Sequence, residues 1–271
     1  MKYEKRMENL KILFLGDLVG RPGRFGVSNF LGRSGNNYDF IIANVENASH
    51  GFGLTEKNYK DLSEMGINAM TSGNHIWDKK EILNYIDTAD RLVRPLNYTE
   101  DTPGQGSRIF KTEKGHSIGI INIQGTVFMS PINPPWEMLE KEIKKIKETT
   151  NVVLIDFHAE ATAEKVSCGY IADALFATAM IGTHTHVQTA DEKILENGTA
   201  YITDIGFCGA YKSVIGMNVE DSVSKLVKSL PVKLDVAPAD KVQVNGVELE
   251  VDASTGRALN IKRIIDVFSI N

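Results

Sequence analysis

The chain is short of cysteine, of long apolar runs and of positive charge, and each shortage removes a class of protein. Only Cys168 and Cys208 occur among its 271 residues. Their spacing suits neither a disulfide framework nor a thiolate metal site, so a reducing cytoplasm is the expected compartment. No stretch approaches the roughly 20 apolar residues of a membrane helix. The charged segment 1–9 is followed by an apolar run, Ile12 to Leu15, that is only strand length and reads as no secretory signal. Met7 is an alternative start, because the first strand pattern begins at Leu10. A net charge of −5 argues against broad binding to DNA or to membrane phosphates. There is no internal repeat, no low-complexity tract and no clear linker before about Met217. What remains is ordinary globular composition, 42% hydrophobic and 24% charged. Its length suits one large α/β domain or two small ones and needs no disulfide to hold a core.

Apolar runs of strand length alternate with helix-like segments. Leu10–Leu15 reads as a strand, followed by a Gly/Pro turn at Gly20–Gly23 and mixed helical character to about Leu31. Phe40–Val45 is a second strand, and Thr55, with Asn58 three residues on, caps a helix through Met65. Asn68–Thr71 reads as a strand, Lys79–Ile86 as a helix and Ser117–Ile123 as a strand. Pro135 opens an amphipathic Lys/Glu-rich helix to about Glu148. Val152–Asp156 and Ala177–Ile181 look like buried strands. The tail from Val232 to Val267 carries short β patterns, with Asn245-Gly246 between alternating apolar residues predicting a hairpin turn.

Potential ligands follow these strands: Asp17, Glu46 and Asn47, Asn74 and His75, His158, and the pair His184 and His186. Ligand sites in open α/β folds lie at strand carboxyl ends. Residues at i and i+2 of an extended segment share a side, which predicts that both imidazoles of the pair face one site. Taken singly, Asp17 suits a turn, Gly73-Asn74-His75 a tight turn and His158 a satisfied core histidine. Taken together they are oxygen and nitrogen ligands without thiolate, which suits iron, manganese or zinc. Their number exceeds one tetrahedral centre and fits two metals sharing a carboxylate.

Gly16-Asp17, Gly73-Asn74-His75, His158 and Gly182-Thr183-His184-Thr185-His186 resemble, in this order, the motifs of calcineurin-like metallophosphoesterases. Longer stretches are similar to the YmdB-like bacterial phosphodiesterases: 16–24, 44–48, 156–162 and 203–206. The resemblance runs from Lys11 to about Ile264. Many metallophosphoesterases carry Asp-x-His in the first motif; Val19 stands in that histidine's place, a departure that the YmdB-like branch shares along with Glu-Asn in the second motif.

The resemblance implies a single domain over 1–271, a four-layer α-β-β-α sandwich, and a dinuclear site at the strand ends. The segment 232–267 would add hairpins to the sheet or form a small cap. Glu46 would bridge two metals, iron foremost and otherwise manganese or zinc. Asp17, Asn47 and His186 would complete one site; Asn74, His158 and His184 would complete the other. His75 would stay off the metals as the general acid. Such a pair of cations, about 3.5–4 Å apart, turns a bridging water into hydroxide near neutral pH and clamps the phosphoryl oxygens. The leaving alkoxide then needs a proton, within the ordinary range of an imidazole. The expected activity is hydrolysis of 2′,3′- or 3′,5′-cyclic nucleotides. The alternatives are a phosphomonoesterase such as a 5′-nucleotidase, or a regulatory nucleotide- or RNA-binding protein with a slow metal centre. The expected partner is the small phosphodiester, with no membrane and no DNA, and a homo-oligomer is compatible with the sequence.

Other signals are weaker. His158-Ala159-Glu160 matches half of the zinc deaminase signature without its Pro-Cys-x-x-Cys, and Glu160 is expected to orient a ligand or cap the next helix. The glycines from Gly16 to Gly23 form no nucleotide-binding fingerprint. His50, Arg24 and Ser213 are candidate substrate contacts, while His116, Cys168 and Cys208 read as turn or packing residues.

Overall fold

Side-chain alternation along the first strand divides the interior in two. In the computed structural model, which describes residues 9–229 and 231–270, β1 (Asn9–Leu15) is apolar on both faces. The segment 1–8, with Met7, lies outside the described residues. Leu13 and Leu15 join a cluster that includes Val27, Phe30, Tyr59 and Leu62. Leu10, Ile12 and Phe14 join a different cluster with Ile120, Leu154, Ile181 and Ile202. A strand covered on both faces reads as a continuous apolar run, which is what the sequence shows.

The chain continues as β2 (Asp17–Leu18), α1 (Gly20–Ser34), β3 (Phe40–Asn44), α2 (Glu56–Glu64) and β4 (Ala69–Thr71). Then come β5 (Ser107–Lys111), β6 (Ser117–Gln124), α3 (Trp136–Lys147), β7 (Val153–His158), α4 (Thr162–Ala174) and β8 (Ala179–Thr183). The last part holds β9 (Lys193–Ile194), β10 (Ala200–Ile202), β11 (Phe207–Ala210), α5 (Val219–Lys228), β12 (Lys241–Asp252) and β13 (Ala258–Ser269). Two sheets result: a seven-stranded one ordered β2-β11-β12-β1-β3-β4 with β13 beside β12, and a six-stranded one ordered β5-β6-β7-β8-β10-β9. Strands β1, β3 and β4 run parallel, as do β6, β7, β8 and β10. Their carboxyl ends therefore line up within each sheet. Helices α1 and α2 contribute Val27, Phe30, Tyr59 and Leu62 to the first cluster. Helices α3 and α4 contribute Leu139, Ile143, Cys168 and Ala172 to a third, with Ile121, Ile155 and Met180. No described helix is long and apolar enough to cross a membrane.

Most local signals act as expected. The Thr55 side chain accepts the Asn58 amide and caps α2. Helix α3 buries Leu139, Ile143 and Ile146 and turns its lysines outward. Three expectations fail. The glycines at 20–23 form no separate turn but the first turn of α1, where a Cβ on Gly23 would sit 2.4 Å from the Cys208 carbonyl. The segment from Lys79 to Ile86 is no α-helix but two short 3₁₀ pieces, Lys80–Asn84 and Ile86–Thr88. Its buried residues, Ile82 with Tyr85 and Ile86 with Ala89, repeat every three positions and match three residues per turn.

The third failure is the turn expected at Asn245-Gly246, which lies within the uninterrupted β12. Strand β12 occupies the middle of its sheet, with Gly246 opposite Leu15 of β1. A Cβ on Gly246 would meet the Phe14 carbonyl at 2.4 Å, and the Asn245 carbonyl accepts the Gly16 amide at 3.0 Å. The glycine serves a close approach of backbones rather than a reversal; the chain reverses instead between Asp252 and Ala258.

Candidate metal centre

Parallel registry brings the ligand-bearing ends together. Asn44 lies opposite Thr71, and His158 opposite Thr183. Asp17, Glu46, Asn47 and His158 are buried, each at most 3% exposed, and Asn74, His184 and His186 border the same space. Around His158 the spacing is tight. Its Nε2 lies 3.1 Å from Glu46 Oε1, 3.1 Å from Asn74 Oδ1 and 3.1 Å from His184 Nδ1. The ligand atoms of Glu46, His158 and His184 lie within 4.8 Å of one another. On the other side of Glu46, Asn47 Nδ2 is 3.1 Å from Glu46 Oε1 and 3.2 Å from His186 Nε2. Asp17 Oδ1 is 3.8 Å from His186 Nε2. The seven candidate ligands named from the sequence thus lie in one cluster, with Asp17 Oδ1 also 3.8 Å from His158 Nδ1.

The histidine pair converges by a different route from the one expected. Neither residue is extended: His184 has φ 99° and His186 φ 64°, both in the left-handed region that side chains with a Cβ disfavour. Such strain persists only where the surroundings over-determine it. Asp17 Oδ2 accepts the His184 amide at 3.3 Å. Asp204 Oδ2 accepts the Thr185 amide at 3.0 Å and its hydroxyl at 2.8 Å. The same oxygen meets the fully buried Lys165 ammonium at 2.7 Å.

Hydrogen bonds fix which nitrogen of each ring faces inward. Thr183 Oγ1 donates to Asp156 Oδ1 at 2.6 Å, so it accepts from His158 Nδ1 at 2.9 Å and leaves Nε2 facing Glu46. The His186 Nδ1 donates to the Ile215 carbonyl at 2.8 Å, again leaving Nε2 inward. His184 Nε2 lies 3.2 Å from Glu160 Oε2, which leaves Nδ1 inward. Glu160 therefore orients a ring; it does not cap α4, whose N-cap is Ala161 without a side-chain bond. Outer partners of this kind orient metal-binding histidines and set their tautomers. Gly73 is required beside them, since a Cβ there would lie 2.2 Å from His158 Cδ2 and 2.5 Å from Glu46 Oε2.

The donor set fits cations. Asp17 Oδ1 and Asn47 Oδ1 are buried without a hydrogen-bond partner, each at a cost of about 1–3 kcal/mol if nothing met it. An amide ligates through oxygen, and it is Asn47 Nδ2 that faces Glu46 and His186, so the oxygen takes that place only with the amide flipped. Charge tells the same story. Burial lowers the His158 pKa, but Glu46, Asp17 and Asp156 outweigh burial and raise it to about 9. Burial raises Glu46, and the neighbouring His158 outweighs that and holds it well below the usual carboxylate range. Asp17 is pushed up by burial, and His184 is pushed down to about 3 by burial and by His158. The carboxylates hold a proton on His158 where a metal would otherwise balance them.

His75 lines the same cleft, its amide donating to Glu46 Oε2 at 3.0 Å and its Nδ1 2.8 Å from Asp78 Oδ2. Phe52 meets its ring edge-on at 5.0 Å. The cleft is about 330 Å³, with Phe52, Ile215, Met217 and Leu234 forming an apolar wall. Sequence reasoning missed that wall, which comes from three separated segments. It also gave no role to Asp156 and Asp204, although both fall within the family-like motifs; a carboxylate inside the buried β7 and another just after the buried β10 were the available signal. Arg24 and Ser213 are engaged in holding loops, Arg24 on the Ala48 carbonyl and Ser213 on the Ala210 carbonyl at 2.7 Å. Cys168 and Cys208 are buried, and His50 lies outside the cleft lining.

The chain is similar to known proteins over most of its length. A family model described as YmdB-like protein matches residues 13–264. A 2′,3′-cyclic-nucleotide 2′-phosphodiesterase of Bacillus subtilis (strain 168) is 45% identical over 94% of this chain and 97% of its own. A putative phosphatase/phosphodiesterase of Mycoplasma pneumoniae is 38% identical over 95% of this chain and 93% of its own. The crystal structure of a novel phosphatase from Mycoplasma pneumoniae superposes with a TM-score of 0.89 at 38% identity, covering 97% of this chain and 95% of that one.

Proposed function

The chain belongs to the YmdB-like family, and from that membership we propose a metal-dependent phosphodiesterase acting on 2′,3′- or 3′,5′-cyclic nucleotides. One observation carries the proposal: three histidines turn a ring nitrogen inward around a shared, buried Glu46, each with its outer nitrogen already engaged. In this reading Asp17, Asn47 and His186 hold one ion, Asn74, His158 and His184 hold the other, and Glu46 serves both. Iron, manganese and zinc all suit a set of oxygen and imidazole ligands, and the family resemblance puts iron first. Metal ions held by these residues would supply hydroxide near neutral pH and offset phosphoryl charge. The two sheets and the three core clusters are read as a single domain with the four-layer α-β-β-α arrangement.

The chain's own residues do the rest. As the imidazolium, His75 donates its Nδ1–H to Asp78 and carries on Nε2 the proton that goes to the leaving oxygen, which leaves the ring neutral. The bond from the His75 amide to Glu46 ties this acid to the carboxylate between the two ligand sets. The apolar wall of Phe52, Ile215, Met217 and Leu234 suits a nucleoside lying against the metal face.

Purified protein assayed with manganese or iron is expected to hydrolyse cyclic nucleotides and bis-p-nitrophenyl phosphate. Absence of turnover with metals bound would overturn the proposal. The Mycoplasma pneumoniae relative is named for both activities, so p-nitrophenyl phosphate belongs in the same assay. Faster cleavage of that monoester would favour the phosphomonoesterase reading.

A further inference from the structure

The apolar wall has a second side. Phe52 and Leu234 line the catalytic cleft and also an adjoining groove of about 490 Å³, whose other lining residues are His50, Lys79, Lys225, Val232, Lys233 and Asp235. On a chain of net charge −5, this groove gathers three lysines against one carboxylate, and Asp235 is ion-paired with Lys233, at 2.9 Å. Lys79 and Lys225 come from a loop and a helix 146 positions apart in sequence, so local composition does not explain their meeting.

The partition between the two spaces is fixed. The Ser49 amide donates to the Gly53 carbonyl at 3.0 Å, and the Phe52 amide to the Ser49 carbonyl at 3.4 Å. Ser49 Oγ accepts from the Thr55 amide at 2.9 Å and from Asn58 Nδ2 at 2.6 Å, tying the loop to α2. His50, Gly51 and Gly53 all have positive φ. A Cβ on Gly53 would lie 2.9 Å from the Lys79 amide, so the loop is seated against the segment that carries Lys79.

We propose that this groove is a phosphate subsite for the rest of an RNA strand, so that the preferred substrate is an oligoribonucleotide ending in a 2′,3′-cyclic phosphate. The inference rests on the phosphodiesterase reading and deepens it. The cyclic end and its nucleoside occupy the cleft up to Phe52 and Leu234. The upstream phosphodiester crosses that partition to Lys79, Lys225 and Lys233. Only ribose provides the 2′ oxygen for such an end, which selects RNA over DNA. Lysines meet backbone phosphate without reading base, so the subsite adds length preference and salt dependence rather than sequence preference.

The test compares kcat/KM for cyclic 2′,3′-AMP and for a trinucleotide with a 2′,3′-cyclic end, in wild type and in a Lys79→Ala/Lys225→Ala/Lys233→Ala variant. The expected wild-type preference for the trinucleotide is about tenfold, carried by KM and weakening with salt. In the variant that ratio falls to about one. Fluorescence anisotropy with the labelled trinucleotide, at several salt concentrations and with no turnover needed, should show a log Kd versus log salt slope flatter by roughly 0.7 for each phosphate that the variant no longer neutralises. Equal wild-type kcat/KM for both substrates, or a preference that survives in the variant, overturns the groove. Failure to cleave either substrate with any metal overturns the underlying reading instead, and the anisotropy then decides the groove alone.

Discussion

Asp17, Glu46, Asn47 and Asn74 belong to or follow strands of the seven-stranded sheet, whereas His158, His184 and His186 end or follow strands of the six-stranded one. One sheet brings oxygen ligands and the other imidazoles. Either group alone is unfavourable: buried carboxylates and amide oxygens repel or stand unpaired, and the inward imidazole nitrogens crowd one another without a counter-charge. The cluster between the sheets, with Phe14, Ile42, Leu154 and Ile181 fully buried, holds the two groups together. On the proposed reading, metal binding would be coupled to sheet packing, since the unfolded chain has no site. The backing differs as well. His158 and His184 lean on side chains, Thr183 with Asp156, and Glu160. His186 leans on the Ile215 carbonyl and stacks on Phe207 at 5.5 Å.

The most damaging change is on the oxygen side. Glu46→Gln should empty both ions and reduce kcat by more than the about 10²–10⁴-fold typical of losing a general acid, checked by metal analysis beside kinetics. His75→Ala comes next, with a loss of about 10²–10⁴-fold in kcat while metal content stays at the wild-type level. An emptied centre in that variant would show that His75 is a ligand. On the imidazole side, His184→Ala and His186→Ala should each drop metal stoichiometry toward one ion per chain. Simultaneous loss of both ions from each variant would remove the support for separate assignments.

Smaller effects distinguish the backing. Thr183→Val breaks the relay from Asp156 and should weaken metal affinity by about 10–100-fold, the range for outer-shell partners. Calorimetric metal titration checks it. The smallest effect is a pH dependence. In the metal-free protein His158 is held up to about 9, above the roughly 6.5 of an unfolded histidine. Its contribution to stability is therefore complete below about pH 6.5 and is lost as pH rises through 9. A metal must displace that proton, so uptake near pH 7.5 should release a proton and tighten as pH rises toward 9. Calorimetry in buffers of differing ionisation enthalpy measures the release, and metal binding without it would contradict the carboxylate-held proton.

Much of this was legible along the chain, because strand-length apolar runs ending in ligand residues stay within a few positions. Asp17 after Leu15 and His158 at the end of β7 are local patterns. Asn245-Gly246 shows the limit: the dipeptide suits a turn, but burial beside β1 and the close Phe14 carbonyl impose a straight strand. The His184/His186 spacing shows another, since two left-handed residues replaced strand alternation without changing the convergence.

The sequence by itself determined the inventory: oxygen and imidazole ligands without thiolate, placed at strand ends, with His75 beside them. Only the tertiary structure decided how each ligand is presented. The nitrogen that each ring turns inward depends on Thr183, Glu160 or the Ile215 carbonyl, and Glu46 meets His158 across 112 positions of chain. A ring's free lone pair is set by whatever accepts its other proton, and that acceptor is chosen by packing.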